Sequence, residues 1–214
     1  MNWLECKSLV YSDLCRITDK HTKIAALKLL FLNYSFKVTF WFRIGSYLQN
    51  KIKWRLMYYF VCWYYDRIMY KTGIQLPLGT KVGAGLRFYH FGDVVVNGNS
   101  IIGKNASIYN GVTIGINFKP DCVYTKPPIL GDNVVLCTGS KVIGDVCIGS
   151  NCVIGANAVV TKDIPEDSVA VGIPAAIIHK SGGGQLCNIF YKSLMILFGY
   201  ESSSFSRRLW LSYF

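Results

Sequence analysis

From Leu130 onward the chain repeats every six residues, with Leu130, Leu136, Val142, Ile148, Ile154 and Val160 on one ladder. Four positions after each of the first five come Val134, Ser140, Val146, Cys152 and Ala158, all small. Glycine follows the ladder residue at Gly131, Gly149 and Gly155, and the same grammar appears upstream in Ile102-Gly103, Ile108 and Ile114-Gly115. A period of six is neither the 3.6 of a helix nor the alternation of an ordinary strand, so it specifies a solenoid of short parallel strands. Three hexapeptides make one triangular coil, in which the aliphatic residue points inward and the small one fits near a corner. Glycine and asparagine then serve the turns, where other residues would be strained.

Around this coil the chain falls into three parts. Residues 1–72 form an N-terminal helical region, residues 73–178 the coil, and residues 179–214 a hinge at Ser181–Gly184 followed by an apolar tail from Leu186 to Phe214. The helical stretches Lys23–Leu32 and Phe36–Leu48 mix apolar, aromatic and basic residues, and Gly73 suits a helix C-terminus. Between Ile114 and Leu130 sixteen residues replace six, so a loop carrying Asn117–Asp121 and Lys126–Pro128 leaves the coil at a corner.

The net charge of +11 is concentrated in the first third, where residues 1–72 carry 12 Lys/Arg against 4 Asp/Glu and 17 of the 31 aromatics. The longest apolar run there, Leu56 to Tyr65, is ten residues, about half of a bilayer crossing. This region reads either as a helical packing layer or as a surface that rests peripherally on anionic lipid. No nucleic-acid-binding motif accompanies the charge. The eight cysteines form no CxxC pair and read as reduced thiols, and the N-terminus lacks the pattern of a signal peptide. The expected place is the cytoplasm, with peripheral attachment at the inner face of the membrane.

Of the three histidines, His21 lies among the helices and His179 just past the coil. Only His90 interrupts the repeat grammar. Counting back in sixes from Ile102 gives Val96 and then His90, whereas counting forward from Val82 gives Phe88 and then Val94. The register slips by two at this point, and such a break marks a place where packing has yielded to another requirement. Imidazole, which titrates near neutrality, is suited to removing a hydroxyl proton as a general base.

His90 with Gly92 two places on, then Val94–Asn97, Ile108–Gly115 and Val153–Pro174, resemble the hexapeptide-repeat acyltransferases, serine acetyltransferase-like branch. Within it the chain looks closest to bacterial O-acetyltransferases of colanic acid and capsular polysaccharides. The resemblance implies a mainly β fold, a left-handed parallel β-helix, assembled as a homotrimer with acetyl-CoA in the groove between prisms. It implies that His90 deprotonates the acceptor hydroxyl, which attacks the thioester directly. Thr138, Gly139 and Ala156 would line the coenzyme along one prism edge, and Thr161 with Lys162 would reach its nucleotide end.

The departures from that family matter as much. In serine acetyltransferases an aspartate fifteen residues before the catalytic histidine orients the imidazole, and here that position is Gln75. Asp93, three residues past His90, is the other candidate partner. The residue before the histidine, an aspartate facing the amino group of serine in that family, is Tyr89. A basic pair near the family's site is reduced to Lys126-Pro127, one charge for an anionic glycan or a CoA phosphate. These departures favour a glycan acceptor, a sugar hydroxyl of a capsular or exopolysaccharide. Serine O-acetylation in cysteine synthesis is the alternative, and a non-catalytic solenoid scaffold a further one. A carbonic-anhydrase-type zinc site needs three histidines, which the coil lacks, so no metal is expected.

Overall fold

The structure, a computed structural model, describes residues 1–19, 22–117 and 125–180. His21, loop residues 118–121, the 181–184 hinge and the 186–214 tail, all read above from the sequence, lie outside these residues.

Four helices precede the coil. Helix α1 (Trp3–Cys15) opens with a capping box: the Glu5 amide donates to the Asn2 side chain and the Asn2 amide to the Glu5 carboxylate. Thr22 caps α2 (Lys23–Leu32), and Asn33 caps α3 (Tyr34–Leu48). A 3-10 turn (Ile52–Trp54) leads into α4 (Arg55–Thr72), which ends at Gly73 in the left-handed conformation, φ +66°. Helix α3 is the keystone. It packs against α1, α2, α4 and the first coil, and Phe36, Val38, Phe42 and Leu48 on it are buried.

The coil has three parallel faces. The first stacks β1 (Ile74–Gln75), β4 (Val94–Val96), β7 (Thr113–Gly115), β10 (Lys141–Ile143) and β13 (Val159–Val160). The second stacks β2 (Lys81–Val82), β5 (Ile101–Ile102), β8 (Ile129–Leu130) and β11 (Cys147–Ile148). The third stacks β3 (Arg87–Phe88), β6 (Ser107–Ile108), β9 (Val135–Leu136), β12 (Val153–Ile154) and β14 (Ser168–Val171), and β15 (Ala176–Lys180) closes it antiparallel to β14. All six ladder residues from Leu130 to Val160 are buried, as are the five small residues between them. Each aliphatic ladder side chain contributes about 1.5–3 kcal/mol by leaving water.

The pairing registers locate both irregularities. Lys141 pairs with Val159 and Val135 with Val153, eighteen residues on, which is one regular coil. Thr113 pairs with Lys141, twenty-eight on, because the long loop lies between them. Ile74 pairs with Val94, Lys81 with Ile101 and Arg87 with Ser107, each twenty on. The two extra residues belong to the corner between β3 and β4, the one that carries His90.

The opposite corner regularity is an amide ladder. Asn105, Asn133, Asn151 and Asp167 all adopt positive φ, between 54° and 59°, a region that asparagine and aspartate tolerate. Their side chains bond in series, Asn105 Nδ2 to Asn133 Oδ1 (3.0 Å), Asn133 Nδ2 to Asn151 Oδ1 (2.8 Å) and Asn151 Nδ2 to Asp167 Oδ1 (3.0 Å). This satisfies polar groups coil by coil where the backbone turns away from its sheet.

Candidate active site on one edge of the prism

The inserted residues make the β3–β4 corner bulge outward, and His90 on it is exposed. Gly92 follows with φ +102° and Asp93 with φ +54°, so the corner turns through two residues in the left-handed half of backbone space. Its base is tied down by the Gly92 amide bonding to Thr72 O (2.7 Å) and the Gly111 amide to Gly92 O (3.1 Å).

Aromatic rings hold the same corner from the sides. Tyr89 stacks on Tyr109 with centroids 4.6 Å apart and planes 5° from parallel, and the Arg87 guanidinium lies 4.3 Å from the Tyr89 ring centre. Tyr109 also flanks His90, at 6.0 Å between ring centres. From α3, the Tyr34 hydroxyl donates to the Tyr89 carbonyl, while its ring meets Phe91 edge-on at 5.5 Å. One helix residue thus holds the residues on both sides of His90, Tyr89 through its carbonyl and Phe91 through its ring. Burial pushes the Tyr34 phenol above its ordinary value, against the opposing effect of Arg87, so the hydroxyl stays a donor.

Tyr34→Phe should therefore loosen the corner without touching substrate. Losing one such bond is worth roughly 1 kcal/mol, so turnover should fall about fivefold with the coenzyme KM unchanged. Steady-state kinetics checks this, and a fall confined to KM would show that Tyr34 does not position His90.

Along this edge, above His90, come Tyr109 and Asn110, then Thr138 and Gly139, then Ala156 and Asn157. Each set follows its third-face strand and lies one coil further on. The structure thus brings His90, Thr138, Gly139 and Ala156 onto a single edge. Thr138 Oγ1 lies 3.2 Å from Asn110 Oδ1, and the Gly139 and Asn157 amides bond to Asn110 O and Thr138 O in turn. Gly139 has φ +74°, and a Cβ there would sit 2.0 Å from Asn157 Oδ1, so the edge admits no larger residue. Ala156 is exposed. The result is an edge that leads away from the imidazole and narrows to small residues at Thr138, Gly139 and Ala156.

Thr161, Lys162 and Lys126 sit on the neighbouring edge, between the first and second faces, and all three are exposed. The long loop leaves from that edge too. Its base is clipped by the Asn117 amide on Thr125 Oγ1 (2.8 Å) and the Thr125 amide on Asn117 O (2.9 Å). The first face, with Lys141 bonded from its Nζ to Gly111 O, separates the two edges. Gln75 lies on this face below Val95, in a depression shared with Cys62, Asp66 and Met69 of α4. Among the described residues neither Gln75 nor Asp93 hydrogen-bonds His90.

The residues that sequence reasoning passed over are Tyr34, Arg87 and Tyr109. Tyr109 stands twenty residues after Tyr89, the spacing of every pair in the first coil. That signal becomes readable only once the two-residue insertion is known. Tyr34 carries none, because the contact joins a helix to a corner 55 residues away.

Residues 127–162 match the family model described as bacterial transferase hexapeptide (six repeats). A serine acetyltransferase of Synechococcus elongatus is 40% identical over 111 residues, 52% of this chain and 45% of that protein. The crystal structure of Neisseria gonorrhoeae serine acetyltransferase superposes with a TM-score of 0.68 at 29% identity, covering 84% of this chain and 67% of that one. A serine acetyltransferase solved in complex with CoA gives 0.61 at 26% identity, over 82% and 69%. The chain spans about half the length of the curated relatives it matches. The comparisons support the hexapeptide-repeat acyltransferase family, and the fold is a left-handed parallel β-helix with an N-terminal helical region. They also correct the acceptor expected from the sequence: these relatives are serine acetyltransferases, which overturns the capsular-polysaccharide reading. Gln75 makes no hydrogen bond to His90 among the described residues, so its departure from the family pattern does not decide the acceptor. Tyr89 lies on the exposed corner and Gln75 on the first face beside α4, away from the edge that carries Thr138, Gly139 and Ala156.

Proposed function

We propose that this protein is an acetyl-CoA-dependent O-acetyltransferase whose acceptor is the hydroxyl of serine. The observation that carries the reading is the edge itself, on which an exposed imidazole, on a corner whose backbone Tyr34 ties to α3, heads a row of mostly small residues. The serine acetyltransferase relatives support the acceptor, and the neighbour solved with CoA supports the donor.

In this reading His90 accepts the proton of the serine hydroxyl as its oxygen forms a bond to the acetyl carbonyl carbon. The C–S bond then breaks, and His90 returns the proton to the departing sulfur. Gly139 and Ala156 give the pantetheine arm room against the backbone, and Thr161 with Lys162 lie one edge away for the nucleotide end. The reaction runs in the cytoplasm, where acetyl-CoA is made. The assembly is a homotrimer, supported by Val95, Ile101 and Ile129, which are exposed on the outer sides of the first and second faces and would be covered in it.

The test measures thiol release from acetyl-CoA with L-serine, with homoserine, and with hydroxy acids that lack the amino group. Serine should give the highest kcat/KM. Equal rates with the amine-free acids would overturn the acceptor, and no turnover with any of them would favour a scaffold. Ala156→Tyr should block acetyl-CoA sterically, raising its KM at least about tenfold, with the melting temperature unchanged because the residue is exposed. An unchanged KM would remove the coenzyme from this edge.

A further inference from the structure

We propose that the outer face of α4, with the turn before it, is a docking surface for an anionic phospholipid bilayer. The inference stands apart from the acyl-transfer reading. Helix α4 buries Val61, Tyr65 and Ile68 against the coil and α3. On the opposite side Leu56 (87% exposed), Phe60 (59%), Trp63 (54%) and Tyr70 (92%) recur at intervals of three, four and seven, which is one stripe of a helix. Ile52 and Trp54 extend the stripe beyond the N-terminus and are exposed as well. An exposed apolar row of this kind, interrupted only by Arg67, marks an interaction site on a protein surface.

The cations are interleaved with the rings. The Arg67 guanidinium lies 4.9 Å from the centre of the Trp63 ring, which lies 6.1 Å from Phe60, and Arg55 Nε donates to the Tyr59 hydroxyl at 3.3 Å. Lys53, Arg55, Arg67 and Lys71 are all exposed, and Asp66 is the single acid of the segment from residue 51 to residue 72. Rings that sit at headgroup depth beside cations that reach phosphate are the chemistry of an interfacial helix. Among the described residues no helix is long and apolar enough to cross a membrane, so α4 would lie on it.

A second copy of the chain fits the same face poorly. Pairing two of these stripes would bring Lys53, Arg55, Arg67 and Lys71 against their own counterparts, with only Asp66 to offset them. An anionic surface instead complements every one of these charges, and the excess of 12 basic over 4 acidic residues across 1–72 adds to the attraction.

The experiment is flotation of the full chain with phosphatidylglycerol-containing vesicles and with pure phosphatidylcholine vesicles. The protein should float with the first, bind the second much more weakly, and come off at high salt as the Debye length shrinks. Lys53→Gln with Arg55→Gln should lower the partition coefficient roughly 30-fold, from the energy of two basic residues near a charged surface. Phe60→Ser with Trp63→Ser should lower it too, with thermal melting unchanged since both side chains are exposed. Absence of flotation, or equal binding to both vesicle types, would overturn the proposal. If both double variants float as wild type does, the anchor is elsewhere, on the exposed Ile24 and Phe31 of α2 or in residues 181–214. A change of oligomeric size in the Phe60/Trp63 variant, with flotation intact, would make the face a contact between copies.

Discussion

His90→Ala should lower acetyl transfer by about 10²–10⁴-fold, the usual cost of removing a general base. The loss should appear in kcat, because the imidazole acts on the proton in flight and does not hold the coenzyme. Acetyl-CoA affinity and melting temperature should stay at wild-type values, since His90 is exposed and packs only at the rim of the Tyr89–Tyr109 stack. Titration calorimetry with CoA and stopped-time kinetics on the same preparation separate the two effects. Near wild-type turnover in this variant would make His90 a corner residue and end the mechanism proposed above.

Arg43→Met should destabilise the fold by about 3–5 kcal/mol, the cost of leaving one member of a buried pair without the other. Arg43 Nε and Nη2 reach the two Asp13 oxygens at 2.9 and 3.2 Å, and Nη1 and Nη2 donate to the carbonyls of Val82 (2.7 Å) and Gly83 (2.6 Å). Asp13 in turn accepts from the Leu86 amide at 2.8 Å. One guanidinium therefore joins α1, α3 and the first coil, and both side chains are almost wholly buried. Burial raises the Asp13 carboxyl above the usual carboxylate range, opposed by the Arg43 charge and by its hydrogen bonds. Removing Arg43 should raise it further. A carboxyl whose folded value is raised keeps its proton in the native state after the unfolded chain has released it. Stability is therefore retained below the unfolded value of about 3.9 and lost as pH rises from there through the raised folded value. Denaturant unfolding of the variant at acidic and neutral pH should show the larger deficit at neutral pH. Equal deficits would mean that lost packing, not the stranded carboxylate, carries the effect.

What the sequence determined by itself was the coil and the place where it breaks. The hexapeptide ladder is a local code: each aliphatic residue is buried by its neighbours one coil away, so period alone predicts Leu130 to Val160 inside. The end of the helical region is also local, because Gly73 terminates α4, whereas the stretch Phe36–Leu48 starts two residues inside α3, which begins at Tyr34 after the Asn33 cap. The two-residue slip at His90 was readable as arithmetic on that code, and the pairing of Ile74 with Val94 gives it a physical form as an inserted corner. Tertiary structure decided what surrounds the histidine. Gln75, fifteen residues earlier, points to α4 on a flat face, while Tyr34 from a distant helix and Tyr109 from the next coil flank the corner instead. Sequence separation carries no information about such contacts: the helical period of α3 shows which of its sides is buried, but not which corner of the prism that side meets. The same holds for α4, whose alternating buried and exposed sides were hidden in a run that is apolar all round. Only packing against α3 shows which of its aromatic residues remain outside.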